Sequence, residues 1–158
     1  MTLPTSVAHR FAAAFASRDP DRVLDCFAAD AQYDDLFYGR FAGHGQIRRL
    51  FERMYAEGDR HEWTMTRVLA EPGCTVAEWT FTVTVSAAVA PSAGRTLTFS
   101  GVSVFETDGD GLCRRYREHF DRGAALFALG IPPAGVAAIV ARRPTVAVTV
   151  PDSAMLGS

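Results

Sequence analysis

The hydrophobic period of this chain changes once, near residue 60, and that change restricts the fold more than any other feature. Before it, apolar residues recur at spacings of three and four. Val7, Phe11 and Phe15 mark one face of a first helix, with Ala8, Ala12 and Ala14 between them. Ser6 is placed to cap that helix, which should end near Ser17-Arg18. Asp19-Pro20 then opens a second helix, with an acceptor at the cap and proline at the first helical position; Val23, Leu24 and Phe27 carry its buried face. Ala31 to Phe37 reads as a short strand and Tyr38-Gly39-Arg40 as a loop. Gly43-His44-Gly45 precedes a third helix, whose face is Ile47, Leu50, Phe51 and Met54 and whose stop is Gly58.

From His61 onward the period is two. His61–Leu69, Thr75–Ala88, Thr96–Glu106 and Leu112–Asp121 read as strands. They are separated by the turns Glu71-Pro72-Gly73, Ala90-Pro91-Ser92-Ala93-Gly94 and Asp108-Gly109-Asp110-Gly111. Helices followed by a run of long antiparallel strands define an α+β domain, with helices covering one face of a curved sheet. After Asp121, Ala124–Leu129 suggests one helical turn, 134–143 has weak helical spacing, and Thr145–Val150 alternates as an edge strand or a loose tail. Residues 1–131 are therefore expected to form one domain and 132–158 a loosely packed C-terminal extension.

Composition closes off several classes of function. The formal net charge of −2 gives no basic footprint for nucleic acid. No apolar run reaches membrane-spanning length. Met1–Ser6 lacks a basic segment followed by an apolar one, so no secretory leader is expected. Cys26, Cys74 and Cys113 are odd in number and widely spaced, fitting reduced thiols and a cytoplasmic location rather than a disulfide framework or a Cys-x-x-Cys metal site. All sixteen basic residues are Arg, which excludes a lysine Schiff base. The Lys-free, Ala- and Arg-rich composition fits a GC-rich bacterial coding sequence.

The candidate chemistry lies on the last strand. Alternation puts Arg117, His119 and Asp121 on one face and Tyr116, Glu118 and Phe120 on the other. The first face would present a cation, a proton donor and a proton acceptor along one wall; the alternative is a solvated charged face. Tyr33 and Asp35 share a face of the first strand. Trp79 and Phe81 share one on the central strands, as do Phe99, Gly101, Ser103 and Phe105. If these odd positions face inward with His119 and Asp121, two carboxylates stand in an aromatic cavity, where burial raises their pKa and suits them to proton transfer. The plainer readings are that Asp35 caps the loop before Gly39, that Asp121 caps the turn at Gly123-Ala124, that Tyr33, Trp79 and Phe81 are packing residues, and that Trp63 and Tyr38 are rim or surface aromatics. Arg117 would be a counter-charge to Asp121. No second histidine is spaced to join His119 in a metal site.

The pattern Phe11-x-x-x-Phe15, Asp19-Pro20, Phe27-Ala28-Ala29-Asp30-Ala31, Tyr33-Asp34-Asp35-Leu36 and Gly43-x-x-x-Ile47-x-x-x-Phe51, closed by Glu118-His119-Phe120-Asp121 and Leu129-Gly130, resembles the SnoaL-like group of the nuclear transport factor 2-like (cystatin-like) superfamily. The resemblance covers roughly residues 7–131. It implies a cone of three N-terminal helices on a strongly curved antiparallel sheet enclosing a pocket, and frequent homodimers through the outer sheet face. In ketosteroid isomerases of this superfamily the catalytic aspartate corresponds to Asp35, but the tyrosine and second acid correspond to Phe11 and Ser103. In limonene-epoxide-hydrolase-like enzymes Tyr33, Asp35 and Asp121 match polar positions, while Trp79 and Phe81 stand where an Arg and an Asp are used. SnoaL-like polyketide cyclases use an aspartate with a neighbouring histidine, as Asp121 and His119 would provide. The resemblance thus implies a cofactor-free, acid/base-assisted cyclase or isomerase acting on a small, largely apolar, polyketide-type intermediate. Asp121, His119, Asp35 and Tyr33 would be its catalytic groups. Trp79, Phe81, Phe99, Ser103, Tyr38, Trp63, Phe11 and Arg117 would contact substrate, with no metal or cofactor. An epoxide-opening hydrolase or cyclase and a non-catalytic binding or dimerisation module are the alternatives.

Overall fold

The computed structural model describes residues 5–149. The three expected helices form: α1 (Val7–Ala16), α2 (Pro20–Leu24) and α3 (Gly43–Glu57). Ser6 caps α1 by accepting from the His9 amide, and Asp19 caps α2 by accepting from the Asp21 amide. At α3 the Gln46 side chain accepts from the Ala42 amide, and Gly58 ends the helix in extended conformation.

Six strands form, the last four of them after the change in period: β1 (Phe27–Asp35), β2 (Gly39–Ala42), β3 (Gly58–Glu71), β4 (Cys74–Val85), β5 (Thr96–Thr107) and β6 (Cys113–His119). They form one curved sheet in the order β2-β1-β6-β5-β4-β3, in which only the β1–β6 pairing is parallel. Two expectations need correction here. Tyr38-Gly39-Arg40 is not wholly a loop, because Gly39 starts β2 and pairs back onto Asp35. The hairpin is that tight because Gly39 adopts φ 109°, a conformation other residues rarely take. And β6 ends at His119, so Asp121 lies past the strand.

The core lies between α1–α3 and the concave face of the sheet. Phe11, Phe15, Ile47, Leu50 and Phe51 from the helices meet Phe27, Tyr33, Trp79, Phe105 and Tyr116 from the strands. The convex face carries paired hydroxyls, Thr80–Ser100, Thr82–Thr98 and Thr84–Thr96. Beyond β6 come α4 (Arg122–Ala128) and α5 (Pro133–Arg142). Val136 of α5 is buried, and Arg143, just past its end, donates to the Phe37 carbonyl at 2.8 Å. Residues 143–149 are irregular, and Val150, the end of the expected edge strand or tail, lies outside the described residues. The three cysteines are free thiols. No helix among the described residues is long and apolar enough to cross a membrane.

Candidate functional site

A cavity of about 380 Å³ lies within the cone, beyond the packed helix–sheet core. Its walls are Trp63, Trp79, Phe81, Phe99 and Phe120, with aliphatic groups from Val83, Leu97, Leu126 and Ile139; its polar residues include Asp35, Tyr38, Arg53, Glu57, His61, Glu118 and Arg143. The aromatic rings meet largely edge to face, Trp63–Trp79 at 5.6 Å and Trp63–Phe81 at 5.1 Å, which fixes the wall without closing the space. Trp79 can lie flat across β5 because residue 101 is glycine: a Cβ there would stand 2.5 Å from the indole and 2.6 Å from the His119 carbonyl.

The alternation expected for β6 is present, but its two faces are exchanged. Tyr116, Glu118 and Phe120 turn inward, and His119 is exposed. Asp121 is also exposed and accepts from the Ala124 amide at 2.9 Å, as the N-cap of α4. Arg117 is paired with Glu106 on the convex face. The inward wall of Arg117, His119 and Asp121 is therefore corrected: the face bearing two aromatic rings is the one that gains by leaving water, and Glu118 goes in with them. For Asp121→Ala we expect a loss of about 1 kcal/mol of stability from the missing cap, read by urea unfolding, with ligand binding in the cavity unchanged.

Among the other candidates, Trp79, Phe81, Phe99, Tyr38 and Trp63 line the cavity together with Asp35. Phe11, Tyr33 and Ser103 do not; each is fully buried behind the wall. Phe11 packs among rings of the core, and Tyr33 stacks on Tyr116 at 4.1 Å. Ser103 accepts from Trp79 Nε1 at 2.7 Å and lies 2.7 Å from the Tyr116 hydroxyl, which donates to Glu118 Oε2 at 2.9 Å. These bonds form one line from the indole to the carboxyl, holding Glu118 from behind.

Asp35 and Glu118 are the two buried carboxyls of the cavity, 8% and 6% exposed, and neither forms an ion pair among the described residues. Asp35 accepts from the amides of Phe37 at 2.8 Å and Tyr38 at 2.7 Å, so the loop-capping reading and the cavity reading hold together. Glu118 accepts from the Leu36 amide at 3.0 Å, which ties both carboxyls to the loop after β1. Burial pushes Asp35 up to about 6, against the pull of its two amides and of Arg143 and Arg53. Burial pushes Glu118 well above the ordinary carboxylate range, and the charge of Asp35 adds to it. Asp35, with the charges of Arg143 and Arg53 near it, ionises first, and Glu118 holds its proton to higher pH.

Glu118, Glu57, His61, Phe120 and Arg143 also line the cavity and are not among the site residues expected from the sequence. The signal for Glu118 and Phe120 was their shared parity with Tyr116. Glu57 is held by the Tyr38 hydroxyl at 2.6 Å and Arg53 at 2.7 Å. His61 lies 3.0 Å from an Arg18 nitrogen, and burial followed by the Arg18 charge lowers its pKa to about 4, leaving it neutral at pH 7.

Solved structures similar to this chain share its fold. A protein of ketosteroid isomerase-like fold from Catenulispora acidiphila, solved with trimethylamine, is 20% identical over 83% of this chain and 96% of its own, with TM-score 0.71. An LEH-like epoxide hydrolase from M. tuberculosis is 24% identical over 86% and 93%, TM-score 0.63. A candidate polyketide cyclase from Xanthomonas campestris is 18% identical over 78% and 93%, TM-score 0.63. No curated protein is similar in sequence. The family model for the SnoaL-like domain matches residues 8–116, from the first helix to the inward Tyr116 of β6, and the chain belongs to that family.

Proposed function

We propose that the protein is an enzyme that carries out acid/base chemistry on a small, largely apolar, polyketide-type compound, isomerising it or closing a ring without a cofactor. The observation that carries this reading is the pair Asp35 and Glu118, both buried, both raised in pKa and both facing an aromatic cavity. Two acids with separated proton affinities divide the work of base and acid. Asp35, as the carboxylate, takes a proton from carbon next to a carbonyl. The electron pair released either moves onto that carbonyl oxygen or attacks a second carbonyl carbon to form the new C–C bond. The oxygen that gains charge takes the proton of Glu118. In the isomerisation, Asp35 returns its proton to the far carbon of the conjugated enol while the enol hydroxyl returns its own to Glu118. In the ring closure, the new hydroxyl keeps the Glu118 proton and Asp35 passes its proton to Glu118, so that each route restores the starting state. The aromatic walls hold the substrate in a shape near that of attack.

The test is deuterium incorporation into 2-tetralone, a bicyclic enolisable ketone, followed by NMR in heavy water. Catalysed exchange above the buffer rate supports the reading. Binding without exchange indicates a non-catalytic pocket and overturns it. The epoxide hydrolase among the structural neighbours favours a second reading, in which Asp35 activates water and Glu118 protonates an epoxide oxygen. Incubation of an aromatic epoxide in ¹⁸O-water separates the two, because only hydrolysis leaves label in a diol.

A further inference from the structure

A second cleft, of about 410 Å³, shares Asp35, Glu118 and Arg143 with the aromatic cavity. Its own lining is cationic. Arg40 is neutralised by Asp34 at 3.1 Å, and Arg117 is paired with Glu106. Arg122 and Arg143 are different, because among the described residues neither makes an ion pair. They bond only to backbone carbonyls: Arg122 to Leu36 at 3.2 Å and to Arg143 at 2.8 Å, Arg143 to Phe37 at 2.8 Å.

Arg122 is 6% exposed, and a buried cation without a carboxylate partner is costly. Each guanidinium has five N–H donors, most of them unused here. Asp35 feels the Arg143 charge but forms no ion pair with either arginine among the described residues, its carboxylate being held by the Phe37 and Tyr38 amides. The Arg143 guanidinium packs directly over Gly39, where a Cβ would lie 2.5 Å from its Nη1.

We infer that the substrate has two parts, an apolar body for the aromatic cavity and a carboxylate that seats on Arg122 and Arg143 in the adjoining cleft. This rests on the reading that the cavity binds an apolar substrate. A carboxylate held by two guanidiniums makes charge-assisted bonds and supplies the missing counter-charge. It also fixes which end of the molecule lies beside Asp35 and Glu118.

The probes are 4-(2-naphthyl)butanoate and its neutral amide, titrated into the full chain at pH 8 and low salt. The readout is quenching of tryptophan emission, since both tryptophans of the chain line the cavity. The acid is expected to bind at least about tenfold more tightly than the amide, and salt is expected to erode that preference. In Arg143→Gln and Arg122→Gln the preference falls towards one while amide binding persists, which also certifies that the variants fold. Equal binding of acid and amide by the wild type overturns the inference, as does failure of both to bind, and neither result needs a variant. An acid preference that survives in both variants overturns it too. Loss of ketone exchange with the acid preference intact would instead overturn the proposed chemistry and leave this site standing.

Discussion

Asp35→Asn lowers the rate of deuterium exchange into 2-tetralone by about 10²- to 10⁴-fold, the range for loss of a positioned base. The amide keeps the shape and can still accept from the Phe37 and Tyr38 amides, so the variant folds and the loss belongs to chemistry. Glu118→Gln is expected to lower exchange as well, by less than Asp35→Asn, because a neutral amide still donates a hydrogen bond to the substrate oxygen but cannot deliver a proton. Both losses should appear in the turnover rate more than in the Michaelis constant, since the interaction strengthens as charge develops. Full turnover in both folded variants would remove the acid/base role from the pair.

The largest effect on stability is expected at Phe11. Its ring is fully buried and meets Trp63 at 4.9 Å, Phe105 at 5.7 Å, Tyr116 at 5.8 Å, Phe27 at 5.9 Å and Phe51 at 6.0 Å. Phe11→Ala removes the residue that joins α1 to four strands and to α3. Neighbours this rigid cannot collapse into the space, so a cost of about 3–5 kcal/mol is expected by urea unfolding. A cost below about 1 kcal/mol would mean that the helix layer is not held through this ring.

The fold was largely legible because it rests on periodicity. The faces Val7-Phe11-Phe15 and Ile47-Leu50-Phe51-Met54 are buried as expected, and the odd positions of β4 and β5 do face inward. The candidate site was legible only in part. Asp35 and the aromatic wall followed from the same alternation. On β6 the alternation is legible but its direction is not set by the charged groups: Tyr116 and Phe120 decide which face leaves water. Asp121 then fell outside the pattern, since β6 ends two residues earlier and the chain turns into α4. β2 has four residues and depends on one glycine conformation, too little for a periodic signal. Arg143 reaches Phe37 across 106 positions of sequence, and no local pattern encodes such a contact.

The central claim is that Asp35 and Glu118 form a buried pair, both raised in pKa, in which Asp35 loses its proton first. A ¹³C NMR titration of their side-chain carboxyl carbons tests it most directly. The account predicts an Asp35 midpoint at about 6 and a Glu118 that titrates above Asp35, with the Glu118 midpoint falling in Asp35→Asn as the neighbouring charge is removed. Two independent midpoints near the ordinary carboxylate value of about 4, unmoved by that substitution, would contradict it.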